Sequence, residues 1–392
     1  MINFLLKEKS INSIFFLILI LYPITNLIYN YFPQELFGVN LYSLFCFGLI
    51  YFIFSLILIK NKNLLLFVTI IIFFFLLILM INLHLHENNS NYLKQYEIGL
   101  SFFIINTLCF IVINKRNEKT VSTIIILSCL LQALFSINNE FSTHDEITFF
   151  NYDDENRQTG FLLNANLFSS FILTGFILNL HISYSFFNNF SDKIIKISIF
   201  VILLIALYFS ESRFSIYISL VYSIIFIIYQ FYKHFNFTKF YTVSLLFIFI
   251  LTILSIIIYN YIGPINNRVV MGFNDSIRLI KYYLGIKTIL LNPLDLLFGM
   301  NRELFSQIRI LNIRLSDNSI IYLIMYFGLP YTCLLFFSIY YICLKYSVVN
   351  VLLVVLLTIL ICNLFLTGAI FWHVYLLYFS TTLALIFKEK IE

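Results

Sequence analysis

The sequence predicts an all-α polytopic membrane protein: about twelve transmembrane helices and one long external loop that contains an amphipathic helix. Three observations predict it. Of 392 residues, 61% are hydrophobic and 11% charged, against about a quarter charged in a soluble globular protein. Apolar stretches long enough to cross a hydrocarbon core of roughly 30 Å as helices recur from end to end. Between them, lysines fall in alternate gaps, the pattern that orients spans across a bilayer.

The first stretch, "MINFLLKEKSINSIFFLILILYPI", sets lysines before an apolar run and has no small-residue cleavage site. It is expected to be a retained span over 11–30, not a removed leader. Further spans are expected over 40–59, 64–82, 98–114, 120–137, 161–184, 194–210, 213–231, 240–261, 317–344, 348–366 and 369–387. The last two also read as one span plus a re-entrant piece, because the "GAIFWH" link between them is short. The organisation is an N-terminal bundle of about nine spans (1–261), an external loop (262–316), and C-terminal spans with a short tail (317–392). No internal repeat is visible.

With the N-terminus inside, the segments "KEK", "KNKN", "NKRNEK", "SDKIIK", "YKHFNFTK", "CLKYS" and "KEKIE" face the cytoplasm. The short external loops then carry only Lys94, Arg157 and Arg213, which favours both termini inside the cytoplasmic membrane of a bacterium. The net charge of +5 follows from these flanking lysines and gives no reason to expect nucleic acid as a partner. The six cysteines (Cys46, Cys109, Cys129, Cys333, Cys343, Cys362) all lie within apolar runs, form no CxxC pair, and read as small core residues.

Arginine and lysine are distributed differently. Seven of the eight arginines are external: Arg157, Arg213, Arg268, Arg278, Arg302, Arg309 and Arg314. Thirteen of the sixteen lysines are internal. Topology prefers neither cation, but arginine grips phosphate or carboxylate through two parallel hydrogen bonds and stays charged in a partly dry site. The external face therefore reads as an anion site, the plainer alternative being contact with lipid phosphates. Within the loop, "NDSIRLIKYYLGIKTILLNP" reads as a helix capped by Asp275 or Ser276 and stopped by Asn292-Pro293. Ile277, Ile280, Leu284 and Leu291 share one face, and Arg278, Lys281 and Gly285 an adjoining one, as in a helix lying on a membrane surface.

Four polar clusters mark external span ends. They are "RQTGFLLNAN" (Arg157, Gly160, Asn164, Asn166), "SESRFS" (Glu211, Arg213), the series Arg268, Arg278 and Lys281, and "LSDNSIIYLIMYFGLP" (Asp317, Asn318, Gly328). Singly, each has a structural reading: Asp317 as a helix N-cap, Arg213 as the partner of Glu211. Together on one side they suggest a shared pocket. The histidines fall outside these motifs, and "HLH" at His84 and His86 has no third ligand for a metal. His373, next to Trp372, reads as an interface residue.

The order of these elements resembles the O-antigen polymerase and O-antigen ligase superfamily, whose members include capsule repeat-unit polymerases. The order is an Arg-x-x-Gly…Asn segment entering a span, a Ser-Arg turn two spans on, and a long loop with an Arg-bearing helix and Phe-Gly. An Asp-Asn-Ser…Tyr…Gly span then follows. The resemblance covers about residues 155 to 335. The ligase branch opens the post-loop span with His-Asn, whereas this chain has Asp317-Asn318, as in the polymerase branch.

The resemblance implies a fold similar to GT-C-type glycosyltransferases and a glycosyl transfer on the outer side of the membrane. The donor is a glycan on a polyprenyl diphosphate, the acceptor a lipid-linked repeat unit, and the product O-antigen or capsule. Arg157, Arg213 and Arg278 are the expected diphosphate clamp. Asp317 would receive or orient the acceptor hydroxyl. Gly160, Asn166, Arg268, Lys281, Arg302 and Asn318 would bind substrate. No metal or organic cofactor is implied. The implied partners are lipid-linked oligosaccharides, membrane lipids, a chain-length regulator and a flippase. Three other readings compete: an O-antigen ligase, a lipid-linked oligosaccharide flippase, and a non-catalytic scaffold. Flippases usually show two related halves and lack one dominant external loop; the one-sided arginines disfavour a scaffold.

Overall fold

The computed structural model describes residues 8–25, 28, 35–36, 39–60, 62–85, 90–114, 116–141, 160–162, 165–181, 189–210, 212, 215–216, 218–224, 226, 287, 293–298, 323–324, 328–335, 337 and 373–388. Helix α1 (Glu8–Leu21) runs into a 3-10 turn (Tyr22–Ile24). Two short strands, β1 (Glu35–Leu36) and β2 (Val39–Asn40), pair antiparallel with Glu35 opposite Asn40. Helices α2 (Leu41–Lys60), α3 (Lys62–Leu85), α4 (Ser90–Val112) and α5 (Glu118–Phe141) follow. A second 3-10 turn (Gly160–Leu162) leads to α6 (Ala165–His181) and α7 (Asn189–Phe209). A short α8 (Pro293–Phe298) and a last helix α9 (His373–Lys388) complete the labelled elements. Residues 218–224 and 328–335 are also helical.

The chain is α-helical, as its hydropathy predicts, and the first seven expected spans and the last coincide with α1 to α7 and α9. Among the described residues, Leu41–Ile59 and Glu118–Asn138 are long and apolar enough to cross a membrane. The expected spans 240–261 and 348–366 lie outside the described residues. So does the expected loop helix, apart from Lys287, which is helical and exposed. Pro293, read from sequence as the stop of the loop helix, opens α8; a proline suits the first turn of a helix, where its missing N–H would have no partner anyway.

Helix α9 is the inner element. It packs against α4, α6 and α5, and every residue from Val374 to Leu385 is buried, as expected for a helix apolar on all sides. Helices α5, α6 and α7 pack on one another, α1 packs on α2 and α5, and α2 also meets α3 and α4. Helices α5 and α6 approach closely because Gly175 has no side chain: a Cβ there would stand 2.5 Å from the Cβ of Cys129. The Cys129 thiol donates to the Phe171 carbonyl at 3.4 Å. Cys46, Cys109 and Cys129 are buried free thiols, as expected, whereas Cys333 is exposed.

The outward faces are apolar stripes at helical spacing: Phe45, Phe52 and Ile59 on α2, then Leu66, Ile70, Phe73, Leu77 and Met80 on α3. Leu127, Leu131 and Leu134 continue the pattern on α5, and Ile194, Ile197, Val201 and Ile205 on α7. At one end of the bundle the Asn117 amide reaches Asn12 at 3.3 Å and the Val112 carbonyl at 2.8 Å. This joins the start of α1, the end of α4 and the start of α5. Helices α5 and α6 run antiparallel, so the end of α6 lies at the same level. There the Lys196 ammonium caps the Leu180 carbonyl at 2.8 Å, and Asn179 donates to the Lys196 carbonyl. Lys9, Arg116, Lys119 and Lys196 all belong to this end. At the opposite end, Thr25 and Ser43 share a hydrogen bond of 3.1 Å between α1 and α2.

The end of α1 is set by Pro23. Proline has no N–H, so the Leu19 carbonyl four residues earlier loses its helical donor. Tyr378 of α9 supplies the missing bond: its hydroxyl donates to that carbonyl, while its ring stacks on Phe171 of α6 with centroids 4.4 Å apart. Replacing Tyr378 with Phe leaves a buried acceptor unmet and is expected to remove about 1–3 kcal/mol of stability. In a Pro23→Ala background the restored N–H at position 23 takes over, and the same replacement is expected to cost less than half as much. Thermal unfolding of the four proteins in one detergent measures this; an equal loss in both backgrounds would refute the account.

Candidate functional site

The end opposite the lysines carries the motifs singled out in the sequence. The chain enters α6 through the turn Gly160–Leu162, which packs against α5, α6 and the Tyr22–Ile24 turn. Gly160 is buried and has φ 55, a left-handed conformation that glycine adopts without steric penalty. A Cβ at Gly160 would lie 2.7 Å from the Gln132 side-chain oxygen and 2.8 Å from the Phe168 ring. The glycine of the Arg-x-x-Gly element thus seats the turn between α5 and α6. Asn166, in the first turn of α6, is half-buried.

One helical turn further, Ser169 is fully buried, as are Ser210 and Ser215, and Ser212 nearly so. The Ser169 hydroxyl donates to the Asn166 carbonyl at 2.9 Å and lies 2.9 Å from the Ser215 hydroxyl. Each hydroxyl has one proton, and that of Ser169 is committed to Asn166, so Ser215 donates to Ser169. Ser212 in turn donates to Ser215 at 3.4 Å. A directed chain results, Ser212 to Ser215 to Ser169 to the Asn166 backbone, in which each bond polarises the next.

The turn itself is braced by its other serine. The Ser210 hydroxyl donates to the Leu207 carbonyl at 2.6 Å, capping the end of α7, and accepts from the Ser212 N–H at 3.3 Å. The Ile216 N–H donates back to the Ser212 carbonyl at 3.1 Å, which starts the next helix. A third element meets α8. Gly328 has φ 80, and a Cβ there would strike the Leu297 carbonyl and come within 2.8 Å of the Phe298 nitrogen. The last turn of α8 therefore sits directly on the backbone of the post-loop helix, and α8 also touches α3.

Of the residues expected at the site, Gly160 and Asn166 are described, and they stand at the same mouth of the bundle. Arg157, Arg213, Arg268, Arg278, Lys281, Arg302, Asp317 and Asn318 lie outside the described residues. The structure does unite two of the four sequence clusters: the segment entering α6 and the "SESRFS" turn are hydrogen-bonded to each other through Ser169 and Ser215. Sequence reasoning overlooked Ser169. The available signal was a serine pair, Ser169-Ser170, inside an otherwise apolar run, three residues after Asn166.

Comparison of the chain with protein families, with curated proteins and with solved structures finds no match.

The two glycine environments predict opposite outcomes for one substitution. Gly160→Ala forces a left-handed residue to carry a Cβ into Gln132 and Phe168, and is expected to destabilise by about 1–3 kcal/mol. Gly48, inside α2, has nothing within 4 Å of the added carbon. Gly48→Ala is expected to stabilise the helix by roughly 0.5–1 kcal/mol. Melting temperatures of the two variants in detergent should move to opposite sides of the wild-type value.

Proposed function

We propose that the chain spans the cytoplasmic membrane of a bacterium and polymerises lipid-linked oligosaccharide repeat units on the outer side. The observation that carries this reading is the hydrogen bond between Ser169 and Ser215. It holds the segment that follows Arg157 and bears Asn166 beside the turn that bears Arg213, so two arginine-bearing motifs distant in sequence share one end of the bundle. Two further features support it. The basic residues at the Asn117 end fit a cytoplasmic face, which supports an outer placement of the motif end. The apolar outer stripes fit contact with lipid, since water-soluble monomers rarely expose large contiguous apolar patches.

In the proposed reaction the acceptor sugar hydroxyl attacks the anomeric carbon of the donor glycan. The new glycosidic carbon–oxygen bond forms as the bond from that carbon to the diphosphate breaks. The acceptor proton passes to the Asp317 carboxylate, and the polyprenyl diphosphate departs with the bonding electrons. Negative charge grows on the leaving diphosphate, so cations fixed in advance lower the barrier. Arg157, Arg213 and Arg278 are assigned this task, with Arg268, Lys281 and Arg302 around them. Asn166 and Asn318 present amides to sugar or phosphate oxygens.

Purified protein in detergent, supplied with lipid-linked repeat units as the only substrate, is expected to lengthen them; unchanged substrate would favour a transporter. Arg157→Lys, Arg213→Lys and Arg278→Lys keep the charge but lose the two-pronged grip. Each is expected to lower elongation by roughly a hundredfold or more at normal expression. Wild-type product lengths from all three would eliminate the clamp.

A further inference from the structure

Nothing in the proposed chemistry requires serines, yet the turn between α7 and the helix after it holds three of them, buried and oriented. A serine hydroxyl buried without a partner carries a desolvation penalty, and the hydroxyls of this turn avoid it. Here they are bonded to one another across two helices: Ser212 and Ser215 on one, Ser169 on the other, ending at the Asn166 carbonyl. The Ser169–Ser215 distance is 2.9 Å and both residues are fully buried. This is a strong contact in an apolar setting, where electrostatic interactions are enhanced. It is a polar tie between the mouth of α6 and the helix that begins at Ser212.

We infer that Ser169 and Ser215 are positioning residues. Their hydroxyl pair fixes the register between the first turn of α6 and the arginine-bearing turn at Ser212, and so the gap across which a lipid diphosphate head group is held. The inference rests on the proposed diphosphate site for its ligand, but the fixed register is a property of the protein alone. Because one directed chain does the work, breaking it at either serine has the same consequence. Loss of the first hydroxyl uncouples the two helices, and loss of the second adds nothing.

Two measurements test this. First, spin labels at Asn166→Cys and at the exposed Leu220→Cys, in a Cys333→Ser background, report the distance between the two helices by pulsed electron paramagnetic resonance. Ser169→Ala and Ser215→Ala are each expected to broaden the distance distribution, and Ser169→Thr, which keeps the hydroxyl, to restore it. An unchanged distribution in both alanine variants overturns the inference whatever the protein binds. Second, binding of undecaprenyl diphosphate to the detergent-solubilised full chain is titrated. Each alanine variant is expected to bind about three- to tenfold more weakly, and the double variant no more weakly than either single one. Additive losses, or wild-type affinity in both single variants, also overturn it. If the wild-type protein binds no diphosphate while the distance distribution still broadens, the register stands and the proposed substrate fails.

Discussion

The Leu19 carbonyl is the polar group on which the arrangement of the bundle turns. In an apolar interior a backbone oxygen without a donor carries a penalty of several kcal/mol, and Pro23 creates such an oxygen by lacking an N–H. The chain meets it from its far end, with the hydroxyl of Tyr378. That one bond requires α9 to lie inside, against α1 and α6, and the stack of Tyr378 on Phe171 fixes its rotation. Once α9 is inside, its residues Val374 to Leu385 become core, and α4, α5 and α6 have a common surface to pack on. Helix α9 thus acts as a hub on which α4, α5 and α6 pack.

The same constraint explains how the helices end. Each terminus leaves carbonyls without donors, and a different side chain answers at each place. Asn117 reaches the Val112 carbonyl at the close of α4, Lys196 the Leu180 carbonyl near the close of α6, and Ser210 the Leu207 carbonyl at the close of α7. The choice of cap divides the molecule. At the Asn117 end the caps are an amide, Asn117, and an ammonium, Lys196. At the other end the caps are hydroxyls, short and neutral, which can be buried completely when paired.

How far the sequence revealed this depends on range. Composition and apolar run length located α1 to α7 and α9, because a helix within an apolar layer must satisfy its own backbone and hydropathy marks where that layer lies. Boundaries strayed where polar residues continue a helix beyond its apolar run: α4 begins at Ser90, eight residues before the expected start, through the polar turn "SNYLKQYE". Within the first expected span, 11–30, α1 gives way at Leu21 to the 3-10 turn Tyr22–Ile24, and Thr25 and Ile28 are again helical. Glycine roles were partly legible. Gly160 and Gly328 stood out as parts of motifs, but their left-handed conformations and the neighbours that forbid a side chain, Gln132 on α5 and Leu297 on α8, come from other elements. The pairing of Ser169 with Ser215 was illegible for the same reason. Serine at either position reads as a tolerated small residue until the fold puts the second hydroxyl 2.9 Å away.

Helices that meet through apolar surfaces slide easily along one another. Packing among Leu, Ile and Phe is strong in sum but nearly indifferent to small shifts along a helix axis, because one apolar contact replaces another. Hydrogen bonds are directional and short-ranged, so a few of them select one register from many of similar packing energy. In this bundle such ties recur at both ends: Thr25 with Ser43, Ser169 with Ser215, Asn179 with Lys196. The close seat of α8 on Gly328 does the same by shape, since only a residue without a side chain admits the Leu297 carbonyl. The proposed grip of guanidinium forks on a doubly charged head group requires spacing held to a fraction of an ångström. The hydrophobic core supplies the stability of the assembly, and the sparse polar ties supply its spacing.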